Sequence, residues 1–277
     1  MSATGTAAGP GTGATTATAF AAARAEGRAA LVGYLPAGFP DVPGSIHAMR
    51  AMVDAGCDVI EVGLPYSDPV MDGPTVQAAA QQALEVGTRT TDVLRVVEAV
   101  AATGAPTVVM TYWNPVVRYG PDRFARDLAN AGGAGLITPD LVPDEAEGWV
   151  AAADAHGLDK VFLVAPSSTD DRLAMTAGAS RGFVYAAAVM GVTGARETSS
   201  ELAGPLVTRV KAVSDLPVAV GLGISTGDQA AEVAAFADGV IVGSAFVRRV
   251  LDADGDRSAG LAGLTALTAD LAAGVRR

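Results

Sequence analysis

Cysteine, histidine and lysine are nearly absent from this chain, and each scarcity closes off a class of chemistry. The 277 residues hold one cysteine, Cys57, so no disulfide can form within the chain. A reduced, cytoplasmic thiol is the simple reading. No histidine lies near Cys57 in sequence, which makes it core filler rather than a nucleophile. The two histidines, His47 and His156, fall in helix-patterned segments away from strand ends. That placement argues against a His/Cys metal site, and none is expected. The only lysines, Lys160 and Lys211, open a strand and lie in a helix, so neither is placed for Schiff-base catalysis. No apolar run approaches the roughly 20 residues of a membrane span. The start lacks a basic segment followed by an apolar one, so no signal peptide is expected. Positive charge is also short, with 19 Lys and Arg against 30 Asp and Glu and a net charge of −11. That argues against nucleic-acid or anionic-membrane partners. Any anionic ligand must be held locally, by backbone N–H groups.

What is present is apolar and repetitive. Half of the residues are hydrophobic, ample for a core, while only 5% are aromatic. Residues 1–19 are mostly Ala, Thr and Gly and cannot bury enough surface to offset their ordering entropy. They are expected to be a disordered extension, with one folded domain over 20–277. Short apolar runs then recur at 30–35, 59–63, 107–111, 135–138, 161–164, 182–186, 218–221 and 239–242. Most are continuous rather than alternating, as parallel strands covered on both faces should be. Helix-period segments lie between them at 46–55, 76–84, 91–102, 121–131, 144–156, 170–177, 201–212 and 229–235. Eight strand–helix repeats imply a TIM (β/α)8 barrel of the α/β class. An open doubly wound sheet ranks second, because no dinucleotide fingerprint is present.

Two carboxylates stand out. Glu61 lies on an apolar strand, where an ionisable group is costly unless it has a task. Asp72 follows in a long Pro/Gly loop, residues 64–74. A second long loop, 187–200, carries Gly191-Val192-Thr193-Gly194 and suggests a lid that excludes water. Both loops follow strands and should share the catalytic face. Glycines end the seventh strand (Gly221, Gly223) and the eighth (Gly243, before Ser244). Ser244 would open a short helix whose first amides face an anion, the recurrent phosphate site of such barrels. Gly194 could close the same site. Two carboxylates in different environments can hold pKa values apart, one as acid/base and one as a fixed charge. With a strand-end tyrosine, Tyr185, and neither metal nor amine, such a site can break a C–C bond only if the substrate supplies its own electron sink.

Residues 60–77, Ile-Glu-Val-Gly-Leu-Pro-Tyr-Ser-Asp-Pro-Val-Met-Asp-Gly-Pro-Thr-Val-Gln, closely resemble the signature of the tryptophan synthase α subunit. Supporting matches are Met110-Thr111-Tyr112-Trp113-Asn114-Pro115, Pro139-Asp140-Leu141, Ala165-Pro166-Ser167-Ser168, Gly191-Val192-Thr193-Gly194-Ala195, 221–225 and Gly243-Ser244. The resemblance runs from about Phe20 to the end. It implies a lyase that splits indole-3-glycerol phosphate into indole and glyceraldehyde 3-phosphate, with indole as the electron sink. It also implies Glu61 as general acid/base, Asp72 as acceptor of the indole N–H, and Tyr185 beside the glycerol chain. Thr193 would hold the closed lid. Tyr34 and Tyr112 would wall the indole, with ordinary core packing as the competing role. Gly194, Gly223, Gly243 and Ser244 would contact phosphate. The family works with a β subunit that carries pyridoxal phosphate, so no cofactor is expected in this chain and an α2β2 complex is. Pro65, Asp68, Asn114 and Asp140 would form the partner contact, or else cap turns. Two features depart from the pattern. Ala186-Ala187-Ala188-Val189-Met190 is smaller than expected for a pocket wall, and Met71 stands beside Asp72 where a small residue is frequent.

Overall fold

Eight parallel strands pair in sequence order, and the last closes on the first. They are β1 (Ala30–Pro36), β2 (Val59–Gly63), β3 (Thr107–Met110), β4 (Gly135–Thr138), β5 (Asp159–Val164), β6 (Val184–Ala187), β7 (Val218–Gly221) and β8 (Gly239–Val242). Twelve helices accompany them among the described residues: α1 (Thr16–Ala25), α2 (Val42–Asp54), α3 (Pro74–Glu85), α4 (Thr90–Ala101), α5 (Trp113–Tyr119), α6 (Pro121–Asn130), α7 (Glu147–Ala155), α8 (Asp170–Ala179), α9 (Arg196–Lys211), α10 (Gly227–Ala234), α11 (Ser244–Leu251) and α12 (Arg257–Gly274). The computed structural model describes residues 14–187, 196–221 and 223–277, with the backbone alone at 196–201. The expected TIM barrel is therefore the observed fold.

Strand alternation divides the core in two. Ala30, Val32, Val59, Val108, Ile137, Val161, Phe183, Ala219 and Ile241 fill the barrel interior. Their neighbours, such as Leu31, Ile60, Val109, Leu136, Phe162, Val184 and Val240, pack outward against the helices. Both faces are dry, which is why the strands read as continuous apolar runs. The interior parity also carries Glu61, two residues beyond Val59, and Tyr185, two beyond Phe183, toward the C-terminal mouth.

The first departure from expectation is at the start of the chain. Thr16–Ala19, expected to be disordered, begin α1, while residues 1–13 lie outside the described residues. Thr15 caps this helix, and the backbone N–H and hydroxyl of Thr16 donate to the buried Asp159 at 3.2 and 2.6 Å. Phe20 closes the barrel floor against Phe183, with ring centroids 5.1 Å apart. One aromatic and one capping threonine tie down a segment whose composition is otherwise that of a linker.

Other boundaries shift for local reasons. The strand expected at 182–186 starts at Val184, because Gly182 turns the chain at φ +96° beside Thr16 and Asp159. The helix expected at 144–156 splits into a 3-10 turn, Pro143–Glu145, and α7. α5 and α12 were not expected. α12 buries one face, through Gly260, Leu264, Leu267, Thr268, Leu271 and Ala272, and packs on α2, α10 and α11, while alanines on its exposed face blur the amphipathic period.

Candidate active site

The site is built on the C-terminal ends of β1, β2, β3 and β6 and on the loop after β2. Glu61 is 1% exposed and lies in register with Tyr34 of β1 and Val108 of β3. Its Oε2 has no hydrogen-bond partner within the protein. An unpaired buried carboxylate oxygen is costly, and the cost appears as protonation. Burial first, and then the negative charge of Asp72, push the Glu61 pKa from 4.5 up to about 8. Glu61 is therefore a carboxylic acid at neutral pH, able to donate a proton.

Asp72 is placed by the loop that leaves β2. Burial raises its pKa, and hydrogen bonding from Tyr112 opposes the rise. Burial thus raises both acids, Glu61 with no partner at Oε2 and Asp72 with the Tyr112 hydroxyl beside it. Three tyrosines share their charge field. Burial and then the neighbouring Asp72 and Glu61 raise the phenol of Tyr34. Tyr185 is raised by burial, then by Glu61 and Asp72. Glycines make room for two of these rings. A Cβ on Gly63 would run into the Tyr34 phenol, and one on Gly221 would lie 2.7 Å from Tyr185 Oη.

The structure brings Glu61, Asp72, Tyr34, Tyr112 and Tyr185 together. Two apolar residues carry no site role in the sequence reading: Met110, named only within a matching segment, and Leu163 are half-buried and pack on the interior cluster at its open end. Strand alternation from Val108 and Val161 was the signal that could have found them. Ala187 ends β6 half-buried, while Ala188–Met190 lie outside the described residues, as do Thr193 and Gly194. Met71, beside Asp72, is 44% exposed.

Across the mouth, Gly243 is the N-cap of α11 and no side chain caps that helix end. Open helix amides with a positive dipole end suit an anion. Gly223 adopts φ +72°, a conformation that favours glycine, with open space where a Cβ would stand. Ser244 is the first residue of α11 and half-buried.

The four residues expected at a partner contact all have internal neighbours. Pro65 is buried in the chain itself and reaches the surface only as part of the wall of a groove of about 390 Å³, shared with Tyr66, Arg89, Asn114 and Arg118. Asp68 accepts from the Ser67 hydroxyl at 2.6 Å. Asn114 donates to the Tyr66 hydroxyl at 3.0 Å. The Asp140 carboxylate accepts the first N–H of α5, from Trp113, at 2.9 and 3.1 Å, which is the capping role. Asp68, Asn114 and Asp140 remain exposed.

The rare residues lie away from this mouth. Cys57 is buried under Gly33, its thiol pushed up by burial. Lys160 pairs with Asp154 at 2.7 Å at the start of β5. Among the described residues no group of three His, Cys, Asp or Glu could hold a metal, and no helix is long and apolar enough to cross a membrane.

A family model for the tryptophan synthase alpha chain matches residues 20–276. The tryptophan synthase alpha chain of Salinispora tropica is 67% identical over 258 residues, 93% of this chain and 96% of that one. That of Mycobacterium ulcerans is 63% identical over 258 residues, 93% of each chain. Among solved structures, Mycobacterium tuberculosis tryptophan synthase superposes with a TM-score of 0.88 at 60% identity, over 95% of this chain and 98% of that one. The alpha subunit from Legionella pneumophila keeps a TM-score of 0.85 at 32% identity, over 94% and 97% of the two chains.

Proposed function

The chain belongs to the tryptophan synthase alpha chain family, and on that premise we propose roles for its two carboxylates and the partner it serves. It is a carbon–carbon lyase subunit that cleaves indole-3-glycerol phosphate to indole and glyceraldehyde 3-phosphate. The observation that carries the residue assignment is Glu61, buried on β2 and unpaired at one oxygen, with burial and Asp72 pushing its pKa up to about 8.

Glu61 donates its proton to indole C3, and the ring becomes an iminium whose charge is centred at nitrogen. Asp72, ionised, accepts the indole N–H and stabilises that charge. The Glu61 carboxylate then takes the proton from the glycerol hydroxyl next to the ring. As that oxygen forms the aldehyde carbonyl, the C–C bond breaks and its electron pair restores the neutral indole. Glu61 ends as it began, protonated. Tyr185 lines the glycerol chain. Tyr34, Met110 and Leu163 surround the ring. Gly223, Gly243 and Ser244 hold the phosphate on the amides of α11, and Thr193 and Gly194 close the site from the loop after β6.

The partner is a β subunit carrying pyridoxal phosphate, in an α2β2 assembly. Asp68, Asn114 and Asp140, exposed on the face where the loops after β2, β3 and β4 emerge, are the contact, with Pro65 supporting the loop from beneath. The test is release of glyceraldehyde 3-phosphate by the purified chain, alone and with a β subunit, using Glu61→Gln as the blank. Slow release strongly accelerated by the β subunit is the expected result. Release as fast without the partner would remove the coupling, and turnover by Glu61→Gln would remove Glu61 from the acid/base role.

A further inference from the structure

The second acid reaches the mouth on a loop, so its carboxylate is only as well placed as the loop is held. Between β2 and α3 the chain is neither helix nor strand. Its far end is fixed where Gln77 of α3 donates to the Asp72 carbonyl at 2.7 Å. One residue before the acid, the Met71 N–H donates to Tyr112 Oη at 2.9 Å. Tyr112 is 5% exposed and follows β3 as the N-cap residue of α5, so the acceptor comes from the barrel wall. Its ring lies against Tyr66 near the start of the same loop, centroids 5.4 Å apart and planes at 37°. The Tyr66 hydroxyl in turn accepts from Asn114 of α5 at 3.0 Å. Both ends of the loop are thus tied to one short run, residues 112–114.

We propose that Tyr112, backed by Tyr66 and Asn114, is the positioning residue of Asp72 rather than a wall of the indole pocket. The inference rests on the reading above, in which Asp72 faces the indole nitrogen. A wall needs only the ring, whereas a positioning residue needs the oxygen. Phenylalanine at position 112 keeps the ring on Tyr66 and removes the acceptor for the Met71 N–H. The carboxylate then loses the Tyr112 hydroxyl and the backbone anchor on its N-terminal side, while the Gln77 anchor on its own carbonyl and the shape of the pocket remain. Misplacing a group that acts on charge developing in the transition state costs turnover more than substrate affinity.

The experiment compares Tyr112→Phe, Tyr66→Phe and Asp72→Asn, each assembled with a β subunit. Cleavage kinetics and backbone hydrogen exchange over residues 70–72 are followed together. Tyr112→Phe is expected to lower kcat roughly tenfold with KM within about twofold, the scale of one lost hydrogen bond, and to speed exchange at the Met71 amide. Tyr66→Phe, which keeps both rings and loses only the Asn114 bond, is expected to move both readouts the same way by less. A wild-type kcat in Tyr112→Phe, or a raised KM at unchanged kcat, would overturn the proposal in favour of a wall. So would unchanged exchange at Met71. Should Tyr112→Phe not fold, Tyr66→Phe decides alone, and wild-type values in it would count against the proposal. If Asp72→Asn turns over normally, the assignment of Asp72 fails, and the exchange data still judge whether Tyr112 holds the loop.

Discussion

Glu61 is the one carboxyl on an inward-facing position at the open end of the described strands, and its chemistry follows from that isolation. A surface glutamate would be ionised at neutral pH and could not protonate a carbon. Burial makes it an acid, and Asp72 reinforces the effect. Two consequences can be measured. Cleavage should fall at alkaline pH, with a limb in kcat/KM near pH 8, as the free enzyme loses the Glu61 proton. Asp72→Asn should slow cleavage by about a hundredfold and also move that limb to lower pH, because the charge that raises the Glu61 pKa is gone. A limb that stays in place would mean that the two acids do not interact. Stability carries the same signature. Between pH 4.5 and about 8 the folded state binds a proton at Glu61 that the unfolded chain releases. Stability should therefore fall as pH rises through that window, and Glu61→Gln should abolish that part of the slope in thermal melts.

At the scale of elements, the barrel has one chemical end and one structural end. Strand direction sends every long loop to the mouth and leaves the floor to α1. Phe20 is 3% exposed there, against Phe183 and the backbone of Gly239. Phe20→Ala should cost about 3–5 kcal/mol in denaturant unfolding and leave kcat close to wild type, since the mouth is at the other end. A large loss of kcat in the folded variant would contradict that separation. α1 also shows where sequence reading failed. Its composition is that of a linker, and its order comes from two contacts distant in sequence, Thr16 with Asp159 and Phe20 with Phe183. α12 was missed for a different reason. Its buried residues share one face, but the exposed face carries Ala262, Ala266, Ala269 and Ala273, so there is little polar contrast by which to detect the stripe.

For the molecule as a whole, a net charge of −11 repels the substrate's phosphate, and the site proposed above would hold it only at short range, on the amides of α11 and the glycine turns. Salt distinguishes the two, since the Debye length shrinks from about 30 Å at 0.01 M to about 8 Å at 0.15 M. Adding salt over that range should raise kcat/KM for the anionic substrate by up to roughly threefold. A steady fall instead would show that a positive field, not backbone amides, guides the phosphate.

Sequence by itself determined the barrel, the two acids and the face they share. Continuous apolar strands imply burial on both sides, and a carboxylate on such a strand needs either a task or a structural partner such as Asp159 has in Thr16. Met110 and Leu163 were equally legible, since alternation from Val108 and Val161 points them inward. Only the tertiary structure decided how strongly Glu61 is perturbed, that Thr16 and Phe20 belong to the fold, that Pro65 is buried in its own chain, and that the Tyr112 hydroxyl meets the Met71 amide. Each of these depends on groups far apart in the chain. Residue patterning encodes which face a side chain takes, whereas the distance between two such side chains exists only once the barrel has closed.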